Sequence, residues 1–312
     1  MNVDCRSLTI LLSVAAGTCL AQQTSDFAGS WVLHSNGQAI FQIVLTAEKG
    51  GITGLWTRPK HWTIDQDGDV TTITPDQVTL PIRTKALDGG RFELTADDDH
   101  FVMTLQGHDE ASLEIADMPY MRPWRLDRSP DGSKVTIATG LPEQNYPQEI
   151  RALRQQLHSM VAEDQDARLA FNQAKWEAVD TKNRPEVLRI FERYGWVTNS
   201  LAGKDAAHDF WLLVQHQTPE IQQRLLPALE KAAKGGHVSM TDYAYLYDRV
   251  QMGLDKPQHW GNAVKCVNGK PVLYAVDDLS GLDARRKELF LMPVREYMQL
   301  DYMVKSCALA GR

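Results

Sequence analysis

The stretch 39–57, AIFQIVLTAEKGGITGLWT, consists of two alternating runs around one turn. In AIFQIVLTA (39–47), Phe41, Ile43 and Leu45 fall on one face, with Gln42, Val44 and Thr46 on the other. That is the period-2 pattern of a strand with one face buried. Lys49-Gly50-Gly51 supplies turn chemistry, and GITGLWT (51–57) resumes the alternation, so the stretch reads as a hairpin. The same grammar runs outward through DVTTITP (69–75), QVTLPIRT (77–84), RFELTA (91–96) and HFVMTLQG (100–107). Between these runs stand the polar turns Asp65-Gln66-Asp67-Gly68-Asp69, Asp88-Gly89-Gly90 and Asp97-Asp98-Asp99. Strands so evenly spaced predict an antiparallel β domain over 24–128, a barrel or a sandwich closed or nearly closed on itself.

Upstream, residues 1–21 carry Arg6, an apolar run from Leu8 to Ala16, and small residues ending in Cys19-Leu20-Ala21. This is the pattern of a secretory signal peptide cleaved after Ala21. Acylation of Cys19 is the alternative, but Thr18 precedes it where a smaller residue is usual. Either way the protein is expected outside the cytoplasm, periplasmic or extracellular. No later run is apolar enough to span a membrane. Of the four cysteines, Cys266 and Cys307 then remain in the mature chain. They either pair, closing a loop of about 40 residues, or stay as buried thiols.

The formal net charge of −7 is unevenly spread. Residues 24–128 hold 9 basic and 16 acidic side chains, a balance of −7, whereas 129–312 hold 23 of each. Neither half has a basic patch, which argues against nucleic acid as a partner. No Cys/His cluster suggests a metal, and no glycine-rich nucleotide motif suggests a cofactor.

Residues 129–147 are punctuated by Ser129-Pro-Asp-Gly132, Gly140-Leu-Pro142 and Asn145-Tyr-Pro147, and read as a linker. From 148 to 312 the period becomes helical, predicting an all-α bundle and, for the whole chain, an α+β protein of two domains. A long helix is expected from Pro147 to Trp176, and a second capped at Asn183-Arg-Pro-Glu186 and ending at Gly195. Asp205 is expected to cap the third, Pro219 to open the fourth, and Ser239 or Thr241 the fifth. An irregular stretch or short hairpin is expected over 256–278, then helices from Asp283 and Pro293.

The third of these helices contains HDFWLLVQH (208–216), apolar on both sides yet carrying His208, Gln215 and His216. Buried polar groups must find partners, at about 1–3 kcal/mol for each left without one. The two histidines are eight residues apart, about 12 Å along a helix, so they cannot share one ion. Asp248 and Arg249, in Tyr243-Ala-Tyr-Leu-Tyr-Asp-Arg249, are the expected partners, near Gln258 and Trp260. A carboxylate beside an imidazole fixes its tautomer in catalytic and structural sites alike. Satisfied core histidines outnumber catalytic ones, so a structural network stands beside the functional reading.

These residues carry a resemblance. Asp164-Gln-x-x-Arg168, Asn183, Gly195-Trp196, Trp211-Leu-Leu-Val-Gln-His216, Ala244-Tyr-Leu-x-Asp-Arg249, Pro257-Gln258, Gly261 and Asp283-x-Arg-Arg286 resemble an uncharacterised helical family of bacteria, the domain of unknown function family 6624. In the loop the chain departs from it. Gln258-His-Trp-Gly-Asn-Ala263 stands where the family ends in glutamine, so a site needing that amide is altered here. More loosely, Asp26-Phe-Ala-Gly-Ser-Trp31 followed by Gly54-Leu-Trp56 resembles the opening of lipocalin-like secreted β modules. The resemblance implies a fold and a polar constellation, but no reaction.

Taken together, the residues support two readings. One is an exported acid/base enzyme of hydrolase type, acting on a small polar or envelope-derived substrate. His216 or His208 would be the catalytic proton-transfer group, Asp248 its orienter, and Arg249 or Arg168 the anion clamp. Gln215, Asp164, Gln258 and Trp260 would complete the ligand site. The other is a non-catalytic envelope binding protein whose constellation is a structural hydrogen-bond network.

Overall fold

The computed structural model describes residues 26–310, apart from 36, 50, 66–67, 88–89, 119, 131–134, 142–145 and 170–171. The expected signal peptide, with Cys5 and Cys19, lies outside the described residues. The chain divides into two compact units, with the boundary after position 143.

The first unit is a closed antiparallel barrel of eight strands. These are β1 (Gly29–Ser35), β2 (Gln38–Glu48), β3 (Gly51–Pro59), β6 (Gln77–Leu87), β7 (Arg91–Ala96), β8 (Asp99–Leu105), β9 (Glu110–Ile115) and β10 (Trp124–Arg128). Each pairs with the next around the circle, and β1 pairs with β10 through Trp31 opposite Arg128. The choice between barrel and sandwich is thus settled as a barrel. One excursion breaks the circuit: β4 (Trp62–Ile64) and β5 (Val70–Ile73) form their own two-stranded sheet. The expected strand over 69–75 therefore belongs to a side hairpin. Strands β1, β4, β9 and β10 lie outside the alternating runs quoted above; β4 has only three residues, too few to display a period.

Alternation fills the barrel. Phe41, Trp56, Phe101 and Trp124 are buried and meet ring to ring at 4.9–6.1 Å. An eight-stranded barrel is about wide enough for side chains alone to fill. The Gly-Ser-Trp of β1 has its own reason. Trp31 is fully buried under the guanidinium of Arg128, 4.1 Å from its ring. Gly29 sits at φ 137°, where a Cβ would stand 2.6 Å from Arg128 Nη1. Glycine therefore permits both the backbone and the close approach. The stretch expected as a linker is partly held by the barrel: Ile137 is buried, and Ala138 N–H donates to Ala39 O at 2.8 Å.

The second unit is helical, with α1 (Gln148–Leu169), α2 (Gln173–Tyr194), α3 (Asn199–Gln215), α4 (Pro219–Lys234) and α5 (Met240–Gly253) forming its main body. A hairpin, β11 (Val264–Val267) with β12 (Lys270–Leu273), follows. Then come α6 (Leu282–Glu288), α7 (Val294–Tyr297) and α8 (Asp301–Ala310). The hairpin falls inside 256–278, as expected. Cys266 and Cys307 form a disulfide, tying β11 to α8, a helix that was not expected.

Helix boundaries differ from expectation in three places. The helix expected over 147–176 is two, for α1 ends at Leu169 and Asn172 caps α2, accepting from Lys175 N–H. Asn183 is not a cap. It lies buried inside α2, and the helix runs through Pro185. A capping signature is local, and tertiary packing overrode it. Finally, α3 opens at Thr198 rather than Asp205 and kinks at Gly203, whose φ is 86°. Asp205 instead takes a bidentate ion pair from Arg154, at 2.7 and 2.6 Å.

Candidate functional site

Asp164 and Arg168 are one turn apart in the last stretch of α1, so their side chains share a face. Arg168 Nη2 donates to Asp164 Oδ1 at 2.9 Å and to Asp180 Oδ1, from α2, at 2.6 Å. His216 closes α3 as its C-cap, and its Nδ1 lies 2.9 Å from Asp164 Oδ2. Arg168 Nε is 3.0 Å from the same ring nitrogen and 3.2 Å from the same carboxylate oxygen. Three helices thus deliver a connected cluster of two carboxylates, one guanidinium and one imidazole.

The protonation states follow from the surroundings. Burial alone would raise the pKa of Asp164, but the hydrogen bonds and charges of His216 and Arg168 outweigh it and hold the group at about 2. For Asp180 burial wins, reinforced by the Asp164 charge, and the carboxyl is pushed up to about 6 despite Arg168. Burial lowers His216, opposed by Asp164 and assisted by the charges of Arg168 and Arg249. The ring is therefore neutral at pH 7. A neutral ring cannot donate from Nδ1 to Asp164 and also accept there from Arg168. Asp164 is ionised and is the stronger acceptor, and Arg168 Nε–H has the carboxylate as its own partner. We assign the proton to Nδ1, pointing at Asp164. That leaves a lone pair on Nε2, which has no hydrogen-bond partner among the described residues. The His216 side chain keeps 12% of its surface.

Arg249, on α5, acts electrostatically on His216 and Arg168. The residue is exposed, yet desolvation lowers its pKa, opposed by Tyr297 and assisted by Arg168. Among the described residues Arg249 makes no hydrogen bond or ion pair, and neither Arg168 Nη1 nor the Gln215 side chain is hydrogen-bonded. Asp164, Asp180 and His216 bring potential ligand atoms within 4.8 Å of one another, close enough to hold a metal ion. The positive charge already between the two carboxylates is Arg168, and Arg249 adds a second. An added divalent ion would meet both.

Asp248 does not partner His216. Its neighbour Arg249 is turned about 100° around the helix and is exposed, within electrostatic reach of His216 and Arg168, whereas Asp248 faces the loop after α5. Fully buried, it accepts the backbone N–H groups of His259 (2.7 Å), Trp260 (3.1 Å) and Asn262 (3.0 Å). Gln258, also fully buried, binds Ala263 and Tyr274 backbone atoms, so it brackets the loop rather than a ligand. Trp260 packs between Tyr243 and Tyr247, at 5.8 and 5.5 Å. Arg286 completes this assembly, donating to Trp260 O and to Asn262 Oδ1. The expected constellation is therefore two separate ones.

His208 is apart from His216. Its Nδ1 lies 3.3 Å from Asp242 Oδ1, and its ring stacks on Trp211 at 4.9 Å. The carboxylate that meets His216 is Asp164, a residue expected only to bind ligand. Asp180 was missed altogether. It falls between positions 176 and 183, where the sequence suggested a break between helices. Reading 173–194 as one helix would have placed Asp180 one turn before Asn183 and two before Val187, on the face that the helix buries.

Neither a curated protein nor a solved structure matches the chain. A model described as a family of unknown function, DUF6624, matches residues 146–306, just over half of the chain and nearly all of the helical unit, and the chain belongs to that family.

Proposed function

We propose that the helical unit is an acid/base catalyst of hydrolase type acting on a small polar substrate, with His216 as the proton-transfer group and Asp164 as its orienter. The carrying observation is the His216–Asp164 pair at 2.9 Å with the opposite ring nitrogen uncommitted. In that state Nε2 accepts a proton from water or from a substrate hydroxyl, and Asp164 stabilises the imidazolium that forms. Arg168 holds the carboxylate in place and keeps the ring from charging prematurely. His208 and Asp248 drop out of the catalytic role, the first because Asp242 holds it elsewhere, the second because loop amides occupy it.

We further propose that the protein is exported and meets its substrate in the periplasm or outside the cell. The apolar N-terminal run supports this, and the disulfide is compatible with an oxidising compartment. The mass of protein recovered from the exported fraction tests it. A chain beginning near Gln22 is expected, and an intact Met1 or a diacylglyceryl group on Cys19 would overturn it.

Turnover is tested with a panel of chromogenic esters, amides and glycosides on the wild type, His216→Gln and Asp164→Asn. Activity lost in His216→Gln and reduced by orders of magnitude in Asp164→Asn is the expected result. If no substrate is turned over and His216→Gln costs about 2–4 kcal/mol of stability, the cluster is instead a structural network in a non-catalytic binding protein.

A further inference from the structure

We infer that the group recognised beside His216 is a small oxyanion, a carboxylate or phosphate ester, held by Arg249 and the free edge of Arg168. This deepens the acid/base reading and rests on it, since it names the substrate class of the same site.

Asp164 is 1% exposed and already accepts from Gln165, Arg168 and His216, so it offers little to a ligand. Asp180 is engaged by Arg168 at 2.6 Å. What remains uncommitted is overwhelmingly donating: the whole guanidinium of Arg249 and the Nη1 edge of Arg168. The acceptors left are His216 Nε2, the Gln215 side-chain oxygen and the second oxygen of Asp180, whose charge Arg168 already meets. Arg168's charge is met by two carboxylates, and Arg249's by none among the described residues. An exposed guanidinium without a carboxylate partner, acting on the same imidazole as the free edge of Arg168, is favourably completed by a planar oxyanion taking two parallel N–H bonds. A cationic ligand would meet two arginines there, and a neutral one would leave Arg249 unpaired.

The test is calorimetric titration of the full chain with sodium phosphate and sodium malonate, at constant ionic strength set with chloride. Saturable one-to-one binding is expected, weakened at least tenfold in Arg249→Gln and less in Arg249→Lys. Ring resonances of His216 should shift on saturation. A preference for phosphate assigns a phosphate ester, and one for malonate a carboxylate. Binding no tighter than chloride, or equal binding by Arg249→Gln of native circular dichroism, overturns the inference. The two readings fail separately. Loss of turnover of a neutral ester in His216→Gln, with no oxyanion bound by the wild type, leaves the acid/base reading and removes this one. Arg249-dependent oxyanion binding that shifts the His216 resonances, with no substrate of the panel turned over, does the reverse, and binding that never moves them overturns the inference.

Discussion

Arg168 Nε lies 3.0 Å from His216 Nδ1, and both groups reach the same oxygen of Asp164, at 3.2 and 2.9 Å. One carboxylate therefore sets the tautomer of the imidazole and the position of the guanidinium together. Arg168 makes the ring harder to protonate, while Asp164 makes it easier, and burial tips the balance toward the neutral form.

Substitution of His216 should affect function more than folding. Asp164 keeps its bonds from Gln165 and Arg168 when the ring is removed, so no buried charge is stranded. His216→Gln is expected to cost less than about 2 kcal/mol, by chemical denaturation, while abolishing turnover.

Acid and mild-acid stability should be governed by different carboxylates. Asp164 titrates at about 2 in the folded chain, against 3.8 ordinarily. Its stabilisation, about 2 kcal/mol, is present above pH 4 and is lost as pH falls toward 2. Asp180 titrates at about 6, so the folded chain holds that proton more tightly than the unfolded one. Its contribution is present below pH 4 and fades as pH rises to 6. Calorimetric melting across pH 2–7 should show both phases. Asp180→Asn should lose the second, and Asp164→Asn should lose the first and shrink the second, because the Asp164 charge helps to raise Asp180.

Asp248 should prove a folding residue. Three loop amides depend on a carboxylate with no solvent exposure, and Asp248→Ala strands all of them. A loss of about 3–5 kcal/mol is expected. Hydrogen exchange should accelerate at residues 259, 260 and 262, and slow exchange at those amides in the mutant would contradict the assignment.

Reduction of the Cys266–Cys307 disulfide should cost about 2–4 kcal/mol, given the 41-residue separation it closes. The double serine variant should show the same drop in melting temperature without dithiothreitol. Equal stability of oxidised and reduced protein would mean that the bond constrains little.

Periodicity made the two-part architecture legible. Alternation in 39–47 and 51–57 is a local property, and it fixed β2, β3 and the face they bury. The Pro219 and Ser239 signals likewise marked α4 and α5, because a cap is chemistry between near neighbours. The sequence also nominated Asp164, Arg168, His216 and Arg249 for a polar site. What it could not determine was which carboxylate meets which histidine. Asp164 is 52 residues from His216 and Asp248 only 32, yet the distant one makes the bond. Such pairing depends on the rotation of each helix about its axis. Adjacent residues such as Asp248 and Arg249 then serve a loop and a cluster respectively, and only the packing of α1, α2, α3 and α5 sets that rotation. Asp180 was hidden for the same reason, because packing carried α2 unbroken through a proline and a capping signature that the local sequence reads as a boundary.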